Sequence, residues 1–75
     1  MPRLPALRAR QVIRALKKAG FVEDRQKGSH LVMRHPATNA LTVIPVHSGQ
    51  TLKSPLVRSI LNDANLSEAE FLKLL

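Results

Sequence analysis

Four consecutive residues, Lys27-Gly28-Ser29-His30, carry the groups that a small phosphodiester-cleaving centre needs. Lys27 brings a positive charge, Gly28 a backbone free to enter conformations closed to other residues, Ser29 a hydroxyl, and His30 an imidazole whose unperturbed pKa lies near working pH. RNA carries its own nucleophile. A ribonuclease therefore has only to deprotonate a 2′-hydroxyl, protonate the leaving 5′-oxygen and stabilise the charge that builds on the phosphorus oxygens. One histidine acting as general base or acid, worth about 10²–10⁴-fold, suffices when a few cations surround it. His30 is the candidate catalytic residue. Arg25 and Lys27 flank it closely enough to hold a phosphate, and backbone N–H groups around Gly28 add donors. The plainer alternative is that Gly28-Ser29 only turns a hairpin and that His30 is an ordinary strand residue.

The remaining chemistry-bearing residues are less well placed. His35, beside Pro36 at a strand end, reads as structural. His47 follows Pro45 in a loop and is suited to either of two roles, a second acid–base group or a phosphate contact. The three histidines are five and twelve residues apart with no cysteine in the chain, which matches no zinc signature, so neither a metal nor a cofactor is expected. The lack of cysteine also excludes a catalytic thiol and a disulfide framework, and suits a reducing cytoplasm. Glu23 and Asp24 are neighbours in a strand and point to opposite faces. Glu68 and Glu70 belong to a helix end. No carboxylate pair is set up for acid–base work.

The elements that must position these groups follow from periodicity. Val12, Ile13 and Leu16 recur at helical spacing from about Ala9 to Ala19, with Arg10, Arg14, Lys17 and Lys18 elsewhere on the cylinder. Gly20 suits the left-handed position after that helix, whose start has no Ser, Thr, Asp or Asn to cap it. Phe21–Arg25 reads as a short strand, Gln26-Lys27-Gly28 as the turn after it, and a second strand starts at Ser29 or His30. Alternation places Leu31 and Met33 on one face and His30, Val32 and Arg34 on the other. Residues 35–40 form a second hairpin connection. Leu41–Ile44 follows as a β-branched strand that Pro45 stops or confines to an edge. Ser54-Pro55 predicts a capped start for a second helix, in which Val57, Ile60, Leu61 and Ala64 make the cleanest amphipathic set in the chain. Asn65 suits its left-handed terminus. Ser67 and Glu70 form a capping-box signature for a short last helix.

The resulting class is α+β: one domain over residues 1–75, α-β-β-β-α with a short C-terminal helix, a two-layer sandwich whose three-stranded antiparallel sheet carries the helices on one face. One sheet face is left open to solvent or a partner. A 75-residue domain buries a modest share of its surface, so association with itself or with another chain would help it. The net charge of +7 favours a polyanionic partner. The cations concentrate in the first third: Arg3, Arg8, Arg10, Arg14, Lys17, Lys18, Arg25 and Lys27. With two phenylalanines, no Trp and no Tyr, a base-stacking platform is disfavoured. No segment has the length or apolarity of a signal peptide core or a membrane span, so no membrane partner is expected.

Several segments in order also resemble one family. Ala19-Gly20-Phe21, Lys27-Gly28-Ser29-His30, Arg34-His35-Pro36, Val43-Ile44-Pro45-Val46-His47, Arg58-Ser59-Ile60-Leu61 and Leu66-Ser67 are similar to the pattern of the HicA-type (YcfA-like) toxins of bacterial toxin–antitoxin pairs. The resemblance implies a double-stranded-RNA-binding-like fold, cleavage of mRNA that halts translation, and a HicB-type antitoxin that occludes the active face. It makes His30 the catalytic histidine, with Gly28 and Ser29 as its supports. The chain departs from the pattern at Pro55-Leu56, where the family usually has Gly-Thr, at Asn65, where glycine is common, and at Leu31-Val32, where a second histidine or an aromatic is usual. Two other classes compete: a non-catalytic double-stranded-RNA-binding module, disfavoured because only Lys53 precedes the second helix, and a protein-interaction subunit.

Overall fold

The computed structural model describes residues 4–47 and 49–75. Arg3 of the basic N-terminal third and Ser48 of the loop after the last predicted strand lie outside the described residues. The elements in chain order are β1 (Leu7–Arg8), α1 (Ala9–Lys18), β2 (Val22–Lys27), β3 (His30–Arg34), β4 (Leu41–Pro45), β5 (Thr51–Leu52), α2 (Ser54–Ala64) and α3 (Glu68–Leu74). Strands β2, β3 and β4 form an antiparallel sheet in that order, and β1 pairs with β5 in a separate ribbon of two residues a side. The fold is α+β, with the predicted α-β-β-β-α order and terminal helix.

Burial of alternate strand residues against helical stripes holds the two layers together. Leu31 and Met33 of β3 and Thr42 and Ile44 of β4 face Val12, Ala15 and Leu16 of α1, Val57, Ile60 and Leu61 of α2, and Phe71 of α3. Burying a Leu, Ile or Phe side chain is worth about 1.5–3 kcal/mol, so these residues fix which sheet face meets the helices. The one buried polar residue among those described, Thr42, donates its hydroxyl to the Ile60 carbonyl at 3.1 Å, tying β4 to α2.

Local chemistry sets the helix ends. Gly20 follows α1 at φ +103° and Asn65 ends α2 in the left-handed region, φ 59°, as their types predict. The Ser67–Glu70 capping box is formed in both directions, at 3.1 and 3.2 Å. At the uncapped start of α1, the Gln11 side chain accepts from the Arg8 N–H at 2.9 Å.

Two expectations are corrected and one element is added. The first hairpin turn is shorter than predicted: Gln26 and Lys27 belong to β2, while Phe21 precedes the strand and is core. Only Gly28 and Ser29 turn, with φ +59° at Gly28 and no positive φ at Ser29, the pattern of a type II′ turn, whose twist suits a two-residue hairpin. Pairing then persists to the last possible pair, Lys27 with His30. Ser54 does not cap α2. It lies inside the first turn with Lys53 as N-cap, and its hydroxyl donates to the Leu4 carbonyl at 3.2 Å, which fastens the N-terminal segment. The β1–β5 ribbon is an addition, since two-residue strands leave no periodic trace.

Candidate functional site

His30 opens β3 with an exposed side chain on the sheet face opposite the helices, because Leu31 and Met33 on alternate positions are buried. Its cross-strand partners are Lys27 on β2 and Pro45 on β4. Directly opposed residues share a face, so Lys27 stands beside His30. Arg25, paired with Val32, stands two pairs further on, the next position of β2 on the same face. Both cations are exposed.

A bulge in β2 decides which charges share that face. Glu23 pairs with Met33 and Arg25 with Val32, leaving Asp24 as the extra residue. Counted back from the hairpin, strict alternation would put Glu23 beside Arg25 and Lys27. The bulge turns it to the helix side instead, where its carboxylate meets the Lys17 ammonium at 2.6 Å. Asp24 contacts Arg34 at 3.7 Å, at the far end of the face from His30. The end of the open face around His30 is thus cationic. Beyond it the face carries the Asp24–Arg34 pair and the exposed apolar side chains of Val22, Leu41 and Val43, 42, 52 and 44% exposed.

Backbone bonds hold this end firmly. The Val46 N–H donates to the Ser29 carbonyl at 2.6 Å. This bond flanks the His30–Pro45 pair, which is therefore of the non-hydrogen-bonded kind, and the missing N–H of Pro45 leaves no gap in the ladder. The Gln26 side-chain amide donates to the Gly28 carbonyl at 3.2 Å, bracing the turn. A Cβ on Gly28 would meet nothing within 4 Å, so glycine serves the positive φ there rather than close packing.

The other histidines separate into different roles. His35 is half-buried and fully engaged in structure: its Nε2 lies 3.2 Å from the Ala19 carbonyl and its Nδ1 accepts from the Ala37 N–H at 3.2 Å. His47 is exposed beyond β4, where it lines a groove of about 400 Å³ with Arg8, Ala9, Arg10, Val46 and Gly49. Arg8 and Arg10 carried no signal in the sequence beyond their charge, because the groove joins segments that lie far apart in the chain. The cations of the first helix are dispersed: Lys17 is paired with Glu23, Arg10 lines the groove, and the helix packs on the sheet face away from His30. Among the described residues no three His, Asp or Glu side chains converge on a common point, and no helix is long and apolar enough to cross a membrane.

Among known families, a model described as the HicA toxin of bacterial toxin–antitoxin matches residues 9–66 of the 75-residue chain. No curated protein matches it. The matched span takes in α1, the whole β2–β4 sheet with His30, the groove loop and α2, and stops before α3.

Proposed function

The chain belongs to the HicA toxin family of bacterial toxin–antitoxin systems, and from that premise we propose that it is an endoribonuclease that cleaves mRNA with His30 as general base or acid. The observation that carries this reading is the cross-strand pairing of an exposed His30 with Lys27, with Arg25 two pairs away on the same open face. An imidazole beside two cations with no carboxylate turned toward them suits a phosphodiester whose charge rises during the reaction. Gly28 and Ser29 form the turn that presents the pair. Toxin family membership implies an antitoxin. A HicB-type protein that covers the open face would bury Val22, Leu41 and Val43 and neutralise the cations beside them, which supports that face as its seat.

Induced expression of the wild type beside His30→Ala tests the proposal. The wild type should arrest growth and degrade mRNA. The variant loses an exposed side chain, keeps the fold and should lose about 10²–10⁴-fold in cleavage rate. Purified His30→Ala that cuts RNA as fast as the wild type would overturn it. Protein that shifts RNA on a gel without ever cutting it would point to a binding module.

A further inference from the structure

We infer that the groove between the start of α1 and the loop after β4 is a second phosphate-binding subsite, which holds the RNA strand beside His30 through Arg8, Arg10 and His47. The inference rests on the reading of the chain as an RNA-cleaving toxin and adds to it a path for the substrate and a role for His47.

Charge argues first. Three of the six lining residues are Arg8, Arg10 and His47, and none is acidic. The ion pairs among the described residues use Lys17, Arg34 and Arg58, leaving Arg8 and Arg10 without a carboxylate. Arg8 is the N-cap of α1 and Arg10 its second residue, and the first turn holds no acidic residue. The helix dipole is already positive there, so two arginines are the wrong sign for helix stability. An anion seated in the groove answers the dipole and both guanidinium groups at once.

Position argues second. His30 pairs with Pro45, and the bond from Val46 to Ser29 fixes the loop that carries His47 against the hairpin that carries His30. From Pro45 to His47 the chain reaches at most about 7 Å. A strand whose scissile phosphate sits at His30 therefore passes directly over the rim of the sheet into the groove. The lining holds no aromatic residue, so the contact is with the sugar–phosphate backbone and is indifferent to sequence. His47 lines this groove, and the inferred subsite uses it as a phosphate ligand rather than as a partner in proton transfer.

The test uses the full chain and a short fluorescein-labelled single-stranded RNA of mixed sequence, with binding read in the His30→Ala background over a salt series. Adding Arg8→Ala and Arg10→Ala should weaken binding and reduce the slope of log K against log salt by about 0.7–1.4, as expected when one or two phosphates are no longer neutralised. Arg8→Lys with Arg10→Lys should restore the slope, and Lys73→Ala, on α3, should leave it alone. In the active protein the double alanine variant and His47→Asn should raise KM with little change in kcat, and His47→Asn should keep both limbs of the kcat–pH profile. An unchanged slope, an equal effect from Lys73→Ala, or a limb erased by His47→Asn overturns the subsite. So does loss of antitoxin binding with RNA binding intact, which would assign the groove to the protein partner. If the wild type cuts RNA, His30→Ala does not, and the arginine variants match the wild type, the subsite fails alone. If the wild type neither binds nor cuts RNA, the ribonuclease reading fails and the subsite with it.

Discussion

His35 Nε2 lies 3.2 Å from the carbonyl oxygen of Ala19, so a histidine at the end of β3 closes the C-terminus of α1. Its Nδ1 accepts from the Ala37 N–H, which leaves the proton on Nε2 to donate to Ala19. The ring also stands edge-on to Phe21, centroids 5.1 Å apart and planes at 86°. The segments Ala19-Gly20-Phe21 and Arg34-His35-Pro36 are therefore two halves of one clasp. The clasp explains Gly20: a Cβ there would come within 2.8 Å of His35 Nε2.

Gly20→Ala should consequently destabilise the chain more than Gly28→Ala. Both positions have positive φ, +103° and +59°, and a non-glycine residue held in such a region costs on the order of 1–3 kcal/mol. Only Gly20 adds a collision, and relieving it moves the ring that holds Ala19 and Phe21. Urea unfolding of the two variants measures the difference. Equal midpoints would mean that the ring gives way freely.

His35→Ala should lower stability by about 1–3 kcal/mol, the loss expected for unpaired buried or half-buried donors and acceptors, while the folded fraction keeps its cleavage activity. His30→Ala should show the reverse, with stability retained and activity lost. The pair of variants, compared by denaturation and by cleavage rate per folded molecule, tests the structural role of one imidazole against the catalytic role proposed for the other.

The sequence carried the helices, the face on which His30 stands and the structural character of His35, because each depends on spacing or turn chemistry within a few residues. Leu31 and Met33 fix the face of β3 whatever lies elsewhere, and Asn65 and Ser67 act on their own neighbours. What was illegible depends on distant partners. The Asp24 bulge shows only in the pairing of β2 with β3, and with it Glu23 comes to Lys17. Ser54 looks like a cap, but the helix starts one residue earlier than that role needs and the serine hydroxyl donates to the distant Leu4 carbonyl. Arg8 and His47 line one groove although they lie far apart in the chain.

Thr42→Val should cost about 1 kcal/mol, the net worth of one hydrogen bond, since its hydroxyl bonds the Ile60 carbonyl and the isosteric methyl fills the same space. Thr42→Ala should cost more, because it leaves a cavity at a residue only 1% exposed. Thermal unfolding orders the three proteins. If valine proves as stable as threonine, the β4–α2 bond contributes specificity of packing and no net stability.

The cap of α3 should leave an acid-side signature in stability. The Ser67 backbone N–H donates to the Glu70 carboxylate and the Glu70 N–H donates to the Ser67 hydroxyl. Chiefly through the backbone bond, then the Ser67 side chain, and with a smaller contribution from Lys73, the Glu70 carboxyl is held below its ordinary value of 4.5. A group whose folded pKa is depressed contributes stability that is fully present above its unfolded value and is lost as pH falls through its folded value. Glu70→Gln should therefore be less stable than the wild type near neutral pH, and the gap should close as the solution is acidified through the carboxyl's range. Ser67→Ala removes the hydroxyl contact, so Glu70 should titrate closer to 4.5 and the acid-dependent part of stability should shrink. Denaturation at a series of pH values reads both effects. A gap between wild type and Glu70→Gln that stays constant through the titration would mean that the carboxylate caps the helix by shape and its charge adds nothing.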